Sequence, residues 1–171
     1  MNIKNIILIG FMGTGKTKVG KLLAKRLGRK FYDSDKLIEE REGKKISLIF
    51  QEKGEAYFRW LETQVIAELS SIPEGTAVIA TGGGVVLNET NLGYFRQHGV
   101  IIALMASPEE ILQRVSADKN RPLLQVDDPL GEIKRLLAER SPLYAKADLS
   151  VDTDRITPPE VVDKIITLLG H

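Results

Sequence analysis

The 171-residue sequence contains no cysteine, a single tryptophan and only two histidines. Without cysteine the chain forms neither a disulfide nor a thiolate metal site, which is typical of proteins from a reducing compartment. Its formal net charge is only +1, so we expect no general attraction to nucleic acid or to a membrane surface. No apolar run approaches the roughly 20 residues of a membrane span, and no signal-peptide pattern precedes the first apolar strand. We therefore expect a cytoplasmic protein without nucleic-acid or membrane partners.

What the sequence does contain is a series of short apolar runs separated by amphipathic segments. The length and the 43% hydrophobic content fit one globular domain over residues 1–171. The run from Val100 to Met105 lacks polar alternation, as expected for a parallel strand covered on both faces. The pattern predicts a doubly wound α/β fold of about five parallel strands. We predict strands at 6–9, 30–33, 77–81, 100–105 and 149–152, and helices at 16–27, 35–42, 47–53, 55–71, 89–97, 108–116, 130–138 and 158–169.

A phosphate-binding loop follows the first predicted strand. Residues 10–17 read G-F-M-G-T-G-K-T, which is the G-x-x-x-x-G-K-[ST] pattern between a strand and a helix. Glycines allow a tight turn whose backbone N–H groups face a di- or triphosphate, and the start of the helix adds to that field. Lys16 is predicted to reach the β- and γ-phosphates, and the Thr17 hydroxyl to bind Mg²⁺. The motif predicts a nucleotide site without naming a reaction.

Two carboxylates lie at the end of the second predicted strand, where a metal-binding acid is expected because the third and fourth predicted strands end without one. Asp33 and Asp35 are two residues apart, so along an extended chain they lie on the same side at the carboxyl end of the sheet. Asp33 is the candidate for the water shell of Mg²⁺. Asp35 is the candidate for accepting a proton or hydrogen bond from an acceptor hydroxyl. The alternative for Asp35 is that it only caps the helix that follows.

Three consecutive glycines, Gly82, Gly83 and Gly84, end the third predicted strand. Because such a run is costly in backbone entropy, we expect a close approach that requires it, with N–H groups facing a carboxylate or phosphate. Arg59, three residues before Glu62 on a predicted helix, and Arg140, at the end of another helix before a proline, complete this set. Guanidinium groups match a carboxylate bidentately, so the two arginines and the glycines predict a pocket for an anionic acceptor. Phe58 and Trp60 are expected to pack, and His98 and His171 to lie on the surface.

One polar segment with two prolines, 116–129, separates two good helices and carries Arg121 at its centre. It reads either as a plain surface loop or as a mobile lid over the phosphate site. Long loops in compact domains tend to be functional, so we favour the lid.

Taken together, these motifs resemble the shikimate kinase family over nearly the whole chain. The resemblance implies a three-layer P-loop kinase fold with strand order 2-3-1-4-5. It also implies that ATP and shikimate are the substrates of a monomeric enzyme, with Mg²⁺ as the cofactor. Residues 35–62 would form the shikimate-binding helices.

The resemblance also assigns roles to individual residues. Lys16, Asp35 and Arg121 would be catalytic, with Arg121 on the closing lid reaching the transferred phosphoryl group. Thr17 and Asp33 would hold the metal, and Asp35, Arg59, Gly82, Gly83, Gly84 and Arg140 would bind shikimate. ATP would contact Gly13, Thr14, Gly15, Lys16, Thr17, Lys18, Arg114, Arg121 and Arg155, with Arg114 stacking on adenine. Asp154-Arg155-Ile156 matches the family's basic pattern only in part.

Other functions remain open on the sequence. Gluconate kinases and nucleoside monophosphate kinases share this architecture, although the glycine triplet with Arg59 and Arg140 favours a carboxylated acceptor. A GTPase-like switch is disfavoured because the chain lacks an Asn-Lys-x-Asp segment, and its D-x-x-G match at 128–131 follows no strand. A silent homologue that only binds nucleotide or shikimate is disfavoured by the intact Lys16, Asp35 and Arg121.

Overall fold

Five parallel strands form a single sheet in the order β2-β3-β1-β4-β5. The computed structural model of the chain describes residues 4–116 and 125–170. Its strands are β1 (Asn5–Ile9), β2 (Lys30–Asp33), β3 (Ala77–Ala80), β4 (Gly99–Met105) and β5 (Leu149–Asp152). The predicted order and all five predicted strands are confirmed, with boundaries within one residue.

Helices cover both faces of this sheet. They are α1 (Lys16–Leu27), α2 (Ser34–Glu42), α3 (Ile46–Ser70), α4 (Glu89–His98), α5 (Pro108–Val115), α6 (Pro129–Tyr144) and α7 (Pro158–Leu168). The side chains of β1 show the layering, since Ile6 and Leu8 join a core with α1 and α7, whereas Ile7 and Ile9 join the core beneath α3. Both faces of the strand are therefore buried, which explains the unbroken apolar runs in the sequence.

The structure departs from the prediction at three elements. The two helices predicted at 47–53 and 55–71 are consecutive in α3, interrupted only at Gly54, whose φ of 83° and ψ of 170° are not helical. The helix predicted at 130–138 continues through Pro142 to Tyr144, so Arg140 lies inside α6 and the prediction that it ends a helix is wrong. A short 3₁₀ turn at Val85–Leu87 was not predicted.

The predicted helix boundaries follow the local sequence closely. Ser107 caps α5 by accepting a hydrogen bond from the Glu110 amide at 3.3 Å, and Thr157 forms a capping box with Glu160 at the start of α7. Gly28 and Gly43 end α1 and α2 in the left-handed conformation, with φ of 65° and 67°. Within residues 4–116 and 125–170 no helix is long and apolar enough to cross a membrane.

Candidate active site

The loop between β1 and α1 forms a cradle with a lysine held across it. Gly10, Gly13 and Gly15 all have positive φ, and a Cβ on Gly10 would lie 2.9 Å from the Thr14 hydroxyl oxygen. The Lys16 ammonium is buried and donates to the carbonyl oxygens of Gly10 at 2.7 Å and of Phe11 at 2.9 Å. The loop carbonyls thus hold the positive charge of Lys16 next to the N-terminus of α1. This arrangement suits phosphate groups.

Asp33 connects this loop to the second strand. The Thr17 hydroxyl donates to Asp33 Oδ2 at 3.0 Å, while Asp33 Oδ1 accepts from the amides of Asp35 at 3.1 Å and Lys36 at 3.3 Å. Asp33 is therefore the cap of α2, so the alternative in which Asp35 serves only as that cap is wrong. The Asp35 side chain therefore does not cap α2.

The oxygen donors of Thr17 and Asp33 fit Mg²⁺, which prefers oxygen ligands and keeps several waters. The described parts of the chain contain no cluster of three or more histidine, cysteine, aspartate or glutamate side chains that could hold a metal ion. A metal at this position would therefore depend on phosphate oxygens and water for its remaining ligands, as in other nucleotide sites.

Asp35 lies in the cavity beside the phosphate loop with its carboxylate largely buried. Burial and the neighbouring Asp33 charge raise the pKa of Asp35 to about 6, against the opposing effect of Lys16 and Arg59. Its Oδ1 is buried, and the described residues offer it no hydrogen-bond partner. A carboxylate with this pKa can accept a proton near neutral pH.

Arg59 is oriented by a buried acid one turn further along α3. Its Nη1 donates to Glu62 Oε1 at 2.9 Å, and only 1% of the Glu62 side chain is exposed. Burial raises the pKa of Glu62 to about 7, although the Arg59 charge opposes that shift. The pairing predicted from the three-residue spacing is confirmed. Phe58 is buried, but Trp60 is 57% exposed, so the prediction that both pack is wrong for Trp60.

The glycine triplet lies directly against these side chains. A Cβ on Gly82 would lie 2.5 Å from Asp35 Oδ1, and a Cβ on Gly84 would lie 2.5 Å from Arg59 Nη1. Real Cβ atoms do not approach other atoms so closely, so glycine at positions 82 and 84 leaves the space that these two side chains occupy, and neither position has a positive φ. The expected close approach is confirmed, with Asp35 and Arg59 as its partners. That the N–H groups of the triplet face a carboxylate or phosphate stays a prediction, and the Gly82 amide donates to the Ser34 hydroxyl oxygen at 3.3 Å.

Arg140 brings a second guanidinium to the same region, and its side chain is more deeply buried than that of Arg59, which is 24% exposed. The Arg140 side chain, only 9% exposed, lies over the Phe11 ring at 5.7 Å, and its charge acts on Glu62. Among residues 4–116 and 125–170, five buried side-chain atoms have no hydrogen-bond partner, and all but Asn91 Oδ1 belong to Asp35, Arg59, Glu62 and Arg140. Buried polar atoms are normally paired, so this concentration marks a site prepared for a polar ligand.

A cavity of about 600 Å³ joins the two halves of the site. It is lined by the phosphate loop from Met12 to Lys18, by Asp33 and Asp35, by Thr81, Gly82 and Gly83, and by Glu110, Arg114, Val115, Thr153, Ile156, Pro158 and Val161. Gly84, Arg59 and Arg140 are not among its lining residues, although Gly84 follows Gly83 in the chain and lies against the Arg59 guanidinium. Arg121 and most of the predicted lid at 116–129 lie outside the described residues.

Arg114 occupies the end of the cavity opposite Asp35. Its guanidinium donates to the Gly13 carbonyl at 3.2 Å and to the Thr153 carbonyl at 2.8 Å, and it pairs with Glu110 at 3.0 Å. These bonds tie the phosphate loop to the end of β5. Arg155, with a φ of 58°, is exposed and is not among the lining residues of the cavity.

Sequence reasoning missed two residues that the fold brings to the site. Thr153 is buried and its hydroxyl accepts from Arg114 at 3.0 Å, but a single threonine after a strand carries no signal in a sequence. Tyr144 donates to the Gly83 carbonyl at 2.6 Å. Its position four residues after Arg140 would have indicated a shared helix face, had the helix not been expected to end before Pro142.

Comparison with known proteins agrees with this geometry. The family described as shikimate kinase matches residues 12–170. The curated shikimate kinases of Thermodesulfovibrio yellowstonii and Caldanaerobacter subterraneus subsp. tengcongensis are 52% and 49% identical to the chain over 164 residues. Those matches cover 96% of this chain and 94% and 95% of the relatives.

Solved structures lead to the same family. The shikimate kinase from Acinetobacter baumannii in complex with shikimate matches with a TM-score of 0.92 and 42% identity, covering 98% of this chain and 93% of that one. A gluconokinase from Sinorhizobium meliloti matches with a TM-score of 0.65 at 17% identity, which shows a shared fold alone. The chain belongs to the shikimate kinase family.

Proposed function

We propose that this chain transfers the γ-phosphoryl group of ATP to the 3-hydroxyl of shikimate, giving ADP and shikimate 3-phosphate. The observation that carries the proposal is the placement of Asp35 between a phosphate cradle and the guanidinium groups of Arg59 and Arg140. Its Oδ1 is buried and has no hydrogen-bond partner among the described residues. This arrangement suits an acceptor that is both a hydroxyl compound and an anion. Membership of the family and the relative whose structure contains shikimate support it.

The donor half of the site is the phosphate loop. Its backbone N–H groups from Gly13 to Thr17 bind the ATP phosphates, and the Lys16 ammonium turns from its two carbonyl partners to the β- and γ-phosphates. Lys18 and Arg114 extend the nucleotide site along the cavity, and Arg155 belongs to it on the family pattern alone. The Thr17 hydroxyl and, through water, Asp33 would hold Mg²⁺, which when bound neutralises charge on the phosphates.

The acceptor half is built around Asp35. Arg59 and Arg140 bind the shikimate carboxylate with the N–H groups of Gly83 and Gly84, Gly82 lies against Asp35, and Asp35 accepts a hydrogen bond from the ring hydroxyls. During transfer the hydroxyl proton passes to Asp35. The hydroxyl oxygen then bonds to the γ-phosphorus, and the bond from that phosphorus to the β–γ bridging oxygen breaks, with its electrons leaving on ADP. Catalysis rests mainly on alignment and charge neutralisation.

Arg121 completes the proposal from the sequence. On the family pattern it approaches the transferred phosphoryl group as the lid at 116–129 closes and excludes water from the γ-phosphate. We further propose that the enzyme works as a monomer in the cytoplasm, without nucleic-acid or membrane partners, because the composition offers no basis for another assignment.

The test is a coupled assay of ADP release with purified, folded protein. We expect turnover that depends on shikimate and stops when Mg²⁺ is omitted. Gluconate and nucleoside monophosphates serve as competing acceptors, and faster turnover with either would replace the proposal by the alternative kinase. Binding of shikimate without turnover would instead indicate a silent homologue.

A further inference from the structure

Helix α6 carries a second buried polar group one turn beyond Arg140. Tyr144 is 1% exposed, and its hydroxyl donates to the Gly83 carbonyl at 2.6 Å, across 61 residues of sequence. Residues four apart on a helix lie on the same face, so one turn of α6 carries both the guanidinium and the hydroxyl that contacts the glycine turn. The phosphoryl transfer proposed above assigns this hydroxyl no role.

Gly83 lies between Tyr144 and the phosphate loop. A Cβ on Gly83 would lie 3.3 Å from the Met12 amide nitrogen and 3.6 Å from the Gly10 carbonyl oxygen, so its Cα lies directly against that loop. The Tyr144 hydroxyl meanwhile holds the Gly83 carbonyl. This residue is therefore positioned by contacts to both the donor half of the site and helix α6.

The hydrogen bond fixes the whole peptide unit that follows Gly83. No peptide bond in residues 4–116 and 125–170 is cis, so the Gly83–Gly84 unit is planar and trans. In such a unit the Gly83 carbonyl and the Gly84 N–H point in opposite directions, so holding the carbonyl also sets the direction of the N–H. Gly84 in turn lies against the Arg59 guanidinium.

We propose that Tyr144 is a positioning residue for the site that binds the acceptor's carboxylate. Its hydroxyl fixes the Gly83–Gly84 peptide between Arg59 and the turn of α6 that carries Arg140. This inference rests on the proposed function. The pocket for an anion is then a rigid set of one peptide and two guanidinium groups, assembled before the ligand arrives. Preorganisation of this kind improves binding because the protein loses little freedom when the ligand enters.

The pKa of the Tyr144 hydroxyl is consistent with a group that always donates its hydrogen bond to the Gly83 carbonyl. Burial raises the pKa of Tyr144 to about 12, against the opposing effects of the Arg140 charge, of a hydrogen bond with the Arg140 side chain and of the Arg59 charge. The hydroxyl therefore keeps its proton throughout the neutral range and remains a donor to the carbonyl. It is a structural hydrogen bond and takes no part in proton transfer.

The test compares Tyr144→Phe with Tyr94→Phe, which removes a hydroxyl from a half-buried tyrosine on α4 that packs against the same core. In Tyr144→Phe we expect the KM for shikimate to rise about three- to tenfold, the value of one lost hydrogen bond, while the KM for ATP changes less than twofold. In Tyr94→Phe neither KM should change. Thermal unfolding and circular dichroism accompany both variants.

A second measurement uses shikimate carboxamide, a neutral analogue of the acceptor. Because Tyr144 acts on the carboxylate site, Tyr144→Phe should weaken binding of shikimate but not of the carboxamide, measured by calorimetry against the unsubstituted protein. An unchanged KM for shikimate, equal losses for ATP and shikimate, or loss of the folded spectrum would each overturn the positioning role. If the unsubstituted enzyme shows no turnover with shikimate, it is the proposed function that fails.

Discussion

Asp33 and Asp35 are separated by one residue, yet the fold gives them different tasks. Asp33 is bound by the Thr17 hydroxyl and two backbone amides, which favour its charged form and fix its position. Asp35 receives no such support, and burial beside another carboxylate raises its pKa to about 6. The same residue type is thus held by hydrogen bonds at position 33 and has a raised pKa at position 35, where we propose that it accepts a proton.

Replacing Asp35 separates catalysis from nucleotide binding. We expect Asp35→Asn to lower kcat by at least about a hundredfold, since a positioned base contributes about 10²- to 10⁴-fold. Binding of ADP should change less than about threefold, a limit we set because the phosphate loop is untouched. In the unsubstituted enzyme, kcat/KM for shikimate should rise with pH through about 6, as the carboxylate loses its proton and can accept one. Steady-state kinetics and calorimetry measure these quantities, and a kcat within tenfold of the unsubstituted value would contradict the assignment.

The same substitution should stabilise the fold. Because the folded pKa of Asp35 lies above its ordinary value of 3.8, its contribution to stability is fully present below that value and is lost as the pH rises through about 6. The loss amounts to at most about 3 kcal/mol. Asn does not ionise, so Asp35→Asn should raise Tm by several degrees at pH 8 and much less at pH 4.5. The exposed Glu139→Gln is the control and should change Tm little at either pH. Equal shifts at both pH values would argue against a buried charge at Asp35.

At the scale of elements, the turn after β3 joins Arg59 to the phosphate loop. Gly84 lies against the Arg59 guanidinium, and Gly83 lies against the backbone near Met12. The turn can do both because its glycines leave space for neighbouring groups rather than because of positive φ. It is therefore sensitive to a single methyl group.

Gly84→Ala tests this packing. The added methyl would displace the Arg59 guanidinium, the mobile end of a long side chain, so we expect the KM for shikimate to rise about tenfold or more while Tm falls only slightly. The KM for ATP should stay within twofold. Gly93→Ala on α4 is the matched control, because a Cβ there meets nothing within 4 Å and alanine favours a helix. An unchanged KM for shikimate in Gly84→Ala would show that Arg59 does not bind the acceptor from its present position.

The elements also show where sequence reasoning succeeds and where it stops. Periodicity located every strand, and capping residues located most helix ends, because these signals lie within a few residues of each other. The continuation of α6 through Pro142 was missed because a proline ordinarily ends or kinks a helix, whereas here the helix packs against the core through Leu136, Leu137 and Tyr144. The local preference of proline for ending a helix was outweighed by the burial of α6 in the core. That burial depends on residues distant in sequence, so a short stretch of sequence does not reveal it.

The same limit applies to the site. The phosphate loop, the aspartate pair and the pairing of Arg59 with Glu62 were predicted because each is a short motif. The contact of Tyr144 with Gly83 and the contacts of Gly82 and Gly84 join residues at least 25 positions apart, and only the folded chain reveals their partners. The sequence thus predicted the short motifs of the candidate site better than it predicted the long-range contacts between them.

For the whole molecule, the sheet order places the two half-sites on adjacent strands. β1 leads into the phosphate loop, while its neighbour β3 and the edge strand β2 lead into the glycine turn and the aspartates. Parallel strands direct all of these residues to one edge, so donor and acceptor meet in one cavity although they are held by different loops. The two half-sites should therefore bind their ligands separately.

Ligand-dependent unfolding tests this separation. With either shikimate or Mg²⁺-ADP at about 100 times its Kd, the free energy of unfolding should rise by about 2.7 kcal/mol, which raises Tm by about 5–10 °C for a chain of this size. Arg59→Ala should abolish the shift with shikimate and retain the shift with Mg²⁺-ADP, because its guanidinium lies against Gly84 and Glu62 in the proposed acceptor half. Lys16→Ala should do the reverse, since its ammonium spans the phosphate loop. Differential scanning calorimetry measures both variants under identical conditions, so that each serves as the control for the other. If either substitution removed both shifts, the two half-sites would be one cooperative unit, and the division into donor and acceptor halves would be wrong.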